Sequence, residues 1–295
     1  MCIRDRSYWG LVVTDIEDAL KLTRPIYDES DGLDGYVSVE VDPGLARDQA
    51  GTEAAARQLW TEIDEPNLYI KIPATAEGVP AIQQAISGKI SVNVTLLFSV
   101  ERYREVMEAY IAGLEAAEGD LSAISSVASF FISRVDVEVD KRLDEIGGDA
   151  ALALRGKVAV ANGKLAYAAF KETFSGPRWE ALVERGAKVQ RPLWASTSTK
   201  NDAYPDTLYV DELIGPDTVN TIPDSTLGFF LDHGTVARTV DADVEEAMNV
   251  LAEVEALGVD LADVAVLLED QGVASFEKAF DSLLESLDAK AKTLG

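Results

Sequence analysis

The sequence predicts an α/β protein built as a (β/α)8 TIM-type barrel, with about six of the eight strands present. Three observations lead there. From residue 14 onward, short apolar runs alternate with helical patterns, the mark of a parallel sheet crossed by helices. Three successive strands each carry one aliphatic face and one polar face, in phase. Strands covered by helices on both sides read apolar throughout. A barrel explains the departure: its aliphatic faces meet the helix ring, while its polar faces converge near the carboxyl ends.

The elements follow in order. Candidate strands are Tyr36–Val41, Leu68–Ile72, Ile90–Leu96, Ile124–Phe131, Val189–Ser196 and Thr218–Ile222. Side chains alternate across a strand with period two. Val37, Val39 and Val41 therefore oppose Tyr36, Ser38 and Glu40. Leu68, Ile70 and Ile72 oppose Tyr69 and Lys71, and Val92, Val94 and Leu96 oppose Ser91, Asn93 and Thr95. Asp42 before Pro43 reads as a cap and a first-turn proline; Thr75 can cap the next helix, and Ser99 precedes one running to about Ala117. Further helical stretches cover about 134–146, 150–174, 241–256 and 273–291. With no low-complexity linker and no fixed-period repeat, one domain over 14–295 is the simpler organisation. Residues 1–6 show neither a helical nor a strand period, and residues 1–13 read as a disordered or foreign leader outside that domain.

Composition narrows the function classes. A chain of 295 residues, 47% apolar, can build a substantial core. Its 52 acidic against 26 basic side chains give a formal charge of -26. That field repels nucleic-acid backbones and anionic lipid, so neither is an expected partner. An anionic substrate would need its few cations gathered in one pocket. Cys2 is the only cysteine, which excludes an intramolecular disulfide and fits a reducing, cytoplasmic location. Residues 1–6 lack the apolar stretch of a signal peptide, and no apolar run reaches the length of a membrane span.

Lys71 is the most informative residue. It sits inside Leu68-Tyr69-Ile70-Lys71-Ile72-Pro73, and lysine is rarely buried without a reason. Desolvation disfavours the ammonium, and a neutral amine can attack a carbonyl to form a Schiff base. Two structural alternatives stand beside this: snorkelling past an edge strand, and a buried ion pair with Glu40. Inward-facing neighbours Glu40, Asn93 and Thr95 argue against snorkelling and favour catalysis. His233, the only histidine, has no nucleophile beside it in sequence, and Trp194 reads as packing.

Several segments together resemble the transaldolase family, in its actinobacterial-type branch: Val39-Glu40-Val41-Asp42-Pro43, Tyr69-Ile70-Lys71-Ile72-Pro73-Ala74-Thr75 and Ser91-Val92-Asn93-Val94-Thr95-Leu96-Leu97-Phe98-Ser99. The likeness continues through Ser126-Val127-Ala128-Ser129-Phe130-Phe131-Ile132-Ser133-Arg134-Val135-Asp136 and Arg191-Pro192-Leu193-Trp194-Ala195-Ser196-Thr197. The resemblance implies a class I aldol transfer in the pentose phosphate pathway. A dihydroxyacetone unit would move from sedoheptulose 7-phosphate to glyceraldehyde 3-phosphate, giving erythrose 4-phosphate and fructose 6-phosphate. No metal or organic cofactor is implied, because the iminium serves as the electron sink. By the same resemblance Lys71 is the Schiff-base lysine, and Glu40 and Thr95 order the water of carbinolamine dehydration. Asn93 resembles the amide holding a substrate hydroxyl; Ser129, Arg134 and Ser196 match phosphate contacts, and Phe131 an aromatic lining the site. Lys200 stands near where many members carry a second arginine.

The same resemblance implies two earlier strands, one with a proton-moving aspartate and one with a substrate-binding asparagine, and no stretch here matches either. Neither Asp5 nor Asp15 has strand-like surroundings. The expectation is therefore a barrel truncated at its amino end, with exposed edges along Tyr36–Val41 and Thr218–Ile222. Such edges invite self-association and low solubility, and the chain is expected to show little or no activity. Alternatives are a related sugar-phosphate aldolase without a transfer step, and a non-catalytic phosphate-binding remnant.

Overall fold

Six parallel strands form one sheet in sequence order: β1 (Val37–Glu40), β2 (Leu68–Pro73), β3 (Val92–Leu97), β4 (Ser126–Phe131), β5 (Arg191–Ala195) and β6 (Val219–Asn220). The structure is a computed structural model and describes residues 3–294. α1 (Ile3–Glu29) precedes β1, and the crossovers from β1 to β5 hold α2 (Gln49–Ile63), α3 (Gly78–Ser87), α4 (Val100–Ala116), α5 (Ser133–Ile146), α6 (Gly148–Leu152), α7 (Val158–Thr173) and α8 (Pro177–Val183). α9 (Leu208–Asp211) lies between β5 and β6, and α10 (Asp224–His233), α11 (Val244–Ala256) and α12 (Leu261–Leu294) follow the last strand. All six expected strands are present, with ends shifted by up to two residues.

The aliphatic strand faces meet the helices as expected. Ile70, Ile72, Val92 and Val94 are fully buried, together with Ile82 and Ile86 of α3 and Tyr103, Val106 and Leu114 of α4. Each such side chain contributes about 1.5–3 kcal/mol through burial. The helix starts follow local chemistry. Asp42 Oδ1 accepts from Gly44 N–H at the 3-10 turn Pro43–Leu45, Thr75 Oγ1 accepts from Gly78 N–H, and Ser99 Oγ accepts from Arg102 N–H at the start of α4. These side-chain acceptors take up donors that a helix start leaves unpaired.

The sheet is an open half-barrel, not a closed ring. Among the described residues β1 and β6 each pair with one neighbour only. The sheet still curls strongly, because Ser38 of β1 and Thr221 just after β6 line one cavity. At the amino-terminal ends Arg191 of β5 reaches across, donating to the Leu33 carbonyl at 2.9 Å and meeting the Asp34 carboxylate at 3.3 Å.

Three local expectations need correction. Residues 3–13, read as a disordered or foreign leader, form the first turns of α1. Trp9, Val12 and Val13 pack on the core, and Tyr8 meets Phe280 of α12 edge to face at 4.9 Å. A partner helix distant in sequence gives this short apolar spacing a surface to pack against. Met1 and Cys2 lie outside the described residues. The stretch 150–174 is two helices, α6 and α7, separated by a turn in which Gly156 adopts φ +70°. The last helix starts at Leu261, not near 273.

β3 carries the one irregularity that matters to the site. Its register against β4 shifts between Val94 and Leu97, and Leu96 adopts φ +61°. Left-handed backbone is unusual for a non-glycine residue, and bulges redirect side chains where sites are built. Strict alternation therefore stops after Thr95.

Candidate active site

The strand register brings the polar residues together. Glu40 lies opposite Lys71 across the β1–β2 pair, and Lys71 lies opposite Asn93 across β2–β3. Neighbouring strands run about 4.8 Å apart, so side chains on the same face at these positions are adjacent. They open into a cavity of about 450 Å³ at the carboxyl ends of the strands. Glu40, Lys71, Asn93, Thr95, Ser129, Phe131, Arg134 and Ser196 all line it. Eight of the nine sequence-derived site residues are thus brought to one place.

Lys200 is the exception. It is exposed, does not line the cavity, and donates to Ser198 Oγ at 2.6 Å. The loop after β5 turns its ammonium to solvent, which removes it as the second cation of this cavity.

Lys71 Nζ stands 3.2 Å from Glu40 Oε2, so the ion-pair geometry weighed for this lysine is present. The pair is not sealed: the side chains are 25% and 28% exposed, both toward the cavity. A half-solvated pair of this kind contributes little to folding. Lys71 is neither snorkelling past an edge nor fully buried; it is presented to whatever enters.

Thr95 supplies the second polar flank. Its residue is fully buried, and its hydroxyl has no hydrogen-bond partner among the described residues. Leaving a buried hydroxyl unpaired costs about 1–3 kcal/mol. A water or substrate oxygen in the cavity is the natural partner for it.

Asn93 is fixed on both sides. Its Nδ2 donates to Ser38 Oγ at 3.0 Å, and its Oδ1 accepts from Ser129 Oγ at 2.8 Å. One amide side chain therefore orients hydroxyls from β1 and β4. Ser38 belongs to the site although only its face was legible in sequence, beside Glu40. Thr221, Ala195 and Phe276 also line the cavity without having been singled out. Thr221 follows a short, irregular strand, and Phe276 lies on α12 with no local signal.

The cation at the far side is Arg134, in the first turn of α5. It packs over the Phe131 ring at 5.0 Å and forms no ion pair among the described residues. Burial pulls its guanidinium below its ordinary pKa. In a chain with twice as many acidic as basic side chains, an arginine without a carboxylate partner has its whole planar fork free for an anion. Ser196 completes this corner: its hydroxyl meets Ser133 Oγ at 2.9 Å, and its carbonyl accepts from Ser133 N–H at 3.0 Å. Ser196 adopts φ +58°, a strained conformation held by these contacts.

His233 and Trp194 keep structural roles. His233 is exposed between Asp206 and Asp232, which raise its pKa, and it lies outside the cavity. Trp194 is buried and donates to the Leu213 carbonyl at 2.8 Å.

The cavity thus holds a strand-borne lysine flanked by a carboxylate and an unpaired hydroxyl, with a free arginine on its far side. Comparison with known proteins gives the family. The family model Transaldolase/Fructose-6-phosphate aldolase matches residues 3–287. The chain belongs to the transaldolase family. Among its relatives, the Transaldolase of Thermobifida fusca is 56% identical over 275 residues, covering 92% of this chain and 75% of the relative. The Transaldolase of Parafrankia is 54% identical over 282 residues, covering 94% and 76%. Transaldolase 1 of Streptomyces avermitilis is 53% identical over 295 residues, covering 99% and 78%. These relatives are actinobacterial, the branch that the motifs resemble. The family match starts at residue 3, so it includes the helical turns first read as a leader.

Proposed function

We propose that this chain is a transferase that moves a dihydroxyacetone unit between sugar phosphates through a Schiff base on Lys71. The donor is sedoheptulose 7-phosphate and the acceptor glyceraldehyde 3-phosphate, giving erythrose 4-phosphate and fructose 6-phosphate in the cytoplasmic pentose phosphate pathway. The observation that carries this reading is Lys71 Nζ lying 3.2 Å from Glu40 in a cavity that also holds the unpaired Thr95 hydroxyl.

Each step has a residue. Arg134, Ser129 and Ser196 receive the phosphate, which places the ketose carbonyl toward Lys71. The amine attacks that carbonyl to form a carbinolamine. A water held between Glu40 and Thr95 carries the protons for loss of hydroxide, leaving an iminium. The iminium withdraws electrons from the adjacent carbon–carbon bond, so no separate cofactor enters the scheme. On cleavage the bonding pair becomes an enamine, and the donor hydroxyl gives up its proton as the aldehyde leaves. Glu40, the only carboxylate among the described residues lining the cavity, takes that proton. Asn93 holds a hydroxyl of the retained unit until the acceptor arrives.

The family description also names fructose-6-phosphate aldolase. Product analysis with and without an acceptor aldehyde separates cleavage from transfer. Two further features go with this reading. The outer edges of β1 and β6 are where two copies would associate, checked by light scattering across a concentration series. Among the described residues no helix is long and apolar enough to cross a membrane.

The deciding experiment is borohydride reduction in the presence of fructose 6-phosphate, followed by peptide mass spectrometry. The expected result is one adduct, on Lys71, absent in Lys71→Met. An adduct on another lysine, or none, overturns the proposal.

A further inference from the structure

Among the described residues lining the Lys71 cavity, Arg134 and Phe276 come from helices, and Phe276 alone from one distant in sequence from every strand. It comes from α12. Lys71 Nζ lies 5.4 Å from the centroid of its ring, over the ring face. The amine is thus flanked by two unlike groups, the Glu40 carboxylate at 3.2 Å and an aromatic face. One can order water beside the nitrogen; the other cannot hydrogen-bond to water in its plane and occupies the space where water would stand.

The ring is held in place. Arg142 Nη2 meets Asp263 Oδ2 at 2.7 Å, and Arg47 pairs with Asp270, both on α12. Gly272 of α12 lies directly against Leu96, so the helix seats closely on the bulge of β3. Phe276, one turn further along α12, is fixed over the cavity by a seat distant from the strand that carries Lys71.

We propose that Phe276 decides the fate of the covalent intermediate, favouring transfer to an acceptor aldehyde over release of free dihydroxyacetone. This rests on the Schiff-base reading of Lys71. After cleavage the enamine has two outcomes. Its carbon attacks the acceptor carbonyl, forming a carbon–carbon bond while the aldehyde oxygen takes a proton. Alternatively that carbon takes a proton from water to regenerate an iminium. One water then adds across the carbon–nitrogen double bond, which breaks to release dihydroxyacetone, the free amine and a proton. The second route begins with a proton taken from water at the enamine carbon, two bonds from the nitrogen that Phe276 flanks, whereas the water between Glu40 and Thr95 serves the later addition to the iminium carbon. Excluding water from a reactive intermediate suppresses its hydrolysis. The ring face also stabilises a cation beside it.

The test measures free dihydroxyacetone released per mole of borohydride-trappable adduct, using fructose 6-phosphate without acceptor. That ratio counts only competent sites, so a variant that merely loses folded protein leaves it unchanged. Phe276→Ala is expected to raise the ratio on the order of tenfold. Phe276→Gln keeps side-chain length and helix preference but admits water, and is expected to raise it similarly should the alanine variant not fold. Wild-type protein that forms no adduct overturns the Schiff-base reading itself. Wild-type protein that forms the adduct, with variant ratios within about twofold of it, overturns the role of Phe276 alone.

Discussion

The Tyr209 hydroxyl donates to Asp136 Oδ2 at 2.8 Å, tying α9 to the helix whose first turn carries Arg134. Asp136 is 1% exposed and also accepts from Ala159 N–H at 2.8 Å. Burial pushes its carboxyl up to about 7, opposed by these donors and reinforced by Asp140, itself bonded to Tyr204 and Gly156. A carboxyl that holds its proton more tightly in the folded chain stabilises the fold at low pH. That contribution is complete below about pH 4 and is lost as the pH rises through 7. It amounts to on the order of 4 kcal/mol. Denaturant melts from pH 4.5 to 8 should show it, against whatever the other carboxylates contribute. Asp136→Asn should remove that component of the slope, because an amide keeps the Ala159 contact and reverses the one to Tyr209. An unchanged slope in the variant would place the titration elsewhere.

Thr95 separates folding from chemistry. Its hydroxyl is buried without a partner in the protein, so Thr95→Val removes an unsatisfied group at nearly constant volume. Stability should hold or rise by up to about 1 kcal/mol. The rate of adduct formation should fall about a hundredfold, since the water of dehydration loses one of its two partners. Urea melts and quench-flow trapping on the same preparation check both halves. Loss of stability with unchanged trapping would make Thr95 a packing residue.

Arg134 predicts a dependence on the phosphate. A charge-assisted contact of this kind is worth about 1.5–3 kcal/mol. Arg134→Ala should therefore raise the donor concentration giving half-maximal adduct about 10- to 100-fold for fructose 6-phosphate. Unphosphorylated fructose should respond far less. Equal losses for both sugars would assign Arg134 to the fold, where its contact is the Phe131 ring.

The strands and most of the site were legible because both depend on period two. Val37/Val39 against Ser38/Glu40, and Ile70/Ile72 against Lys71, are local patterns that register converts directly into neighbours. What failed depends on contacts between segments far apart in sequence. Residues 3–7 carry no period of their own, and the spacing of Trp9, Val12 and Val13 is too short to mark a helix alone, yet the stretch folds as helix with Tyr8 on Phe280. Leu96 reads as one more alternating apolar residue, and nothing nearby marks its left-handed backbone. Phe276 looks like any core residue of a long amphipathic helix until α12 is seen lying across the strand ends. Lys200 was placed by resemblance to a loop, the part of a fold where chain direction is least fixed by pattern.

Gly272 is where that long-range seating is set. A Cβ added there would lie 2.7 Å from Leu96 Cδ2, and Leu96 is 1% exposed on backbone at φ +61°, with little room to yield. Gly272→Ala gains about 1 kcal/mol of helix propensity but overpacks the contact by about 1–3 kcal/mol. The net expectation is a loss of about 1 kcal/mol, read as a lower urea midpoint at unchanged slope. Shifting α12 also lifts Phe276 from Lys71, so release of dihydroxyacetone per adduct should rise in this variant although its own side chain never reaches the cavity. Combining it with Leu96→Ala, which empties the space the new methyl needs, should recover at least about 0.5 kcal/mol relative to the sum of the single changes. Strict additivity would mean that the helix and the bulge are not mechanically joined, and that the position of Phe276 is set by the ion pairs at Asp263 and Asp270 instead.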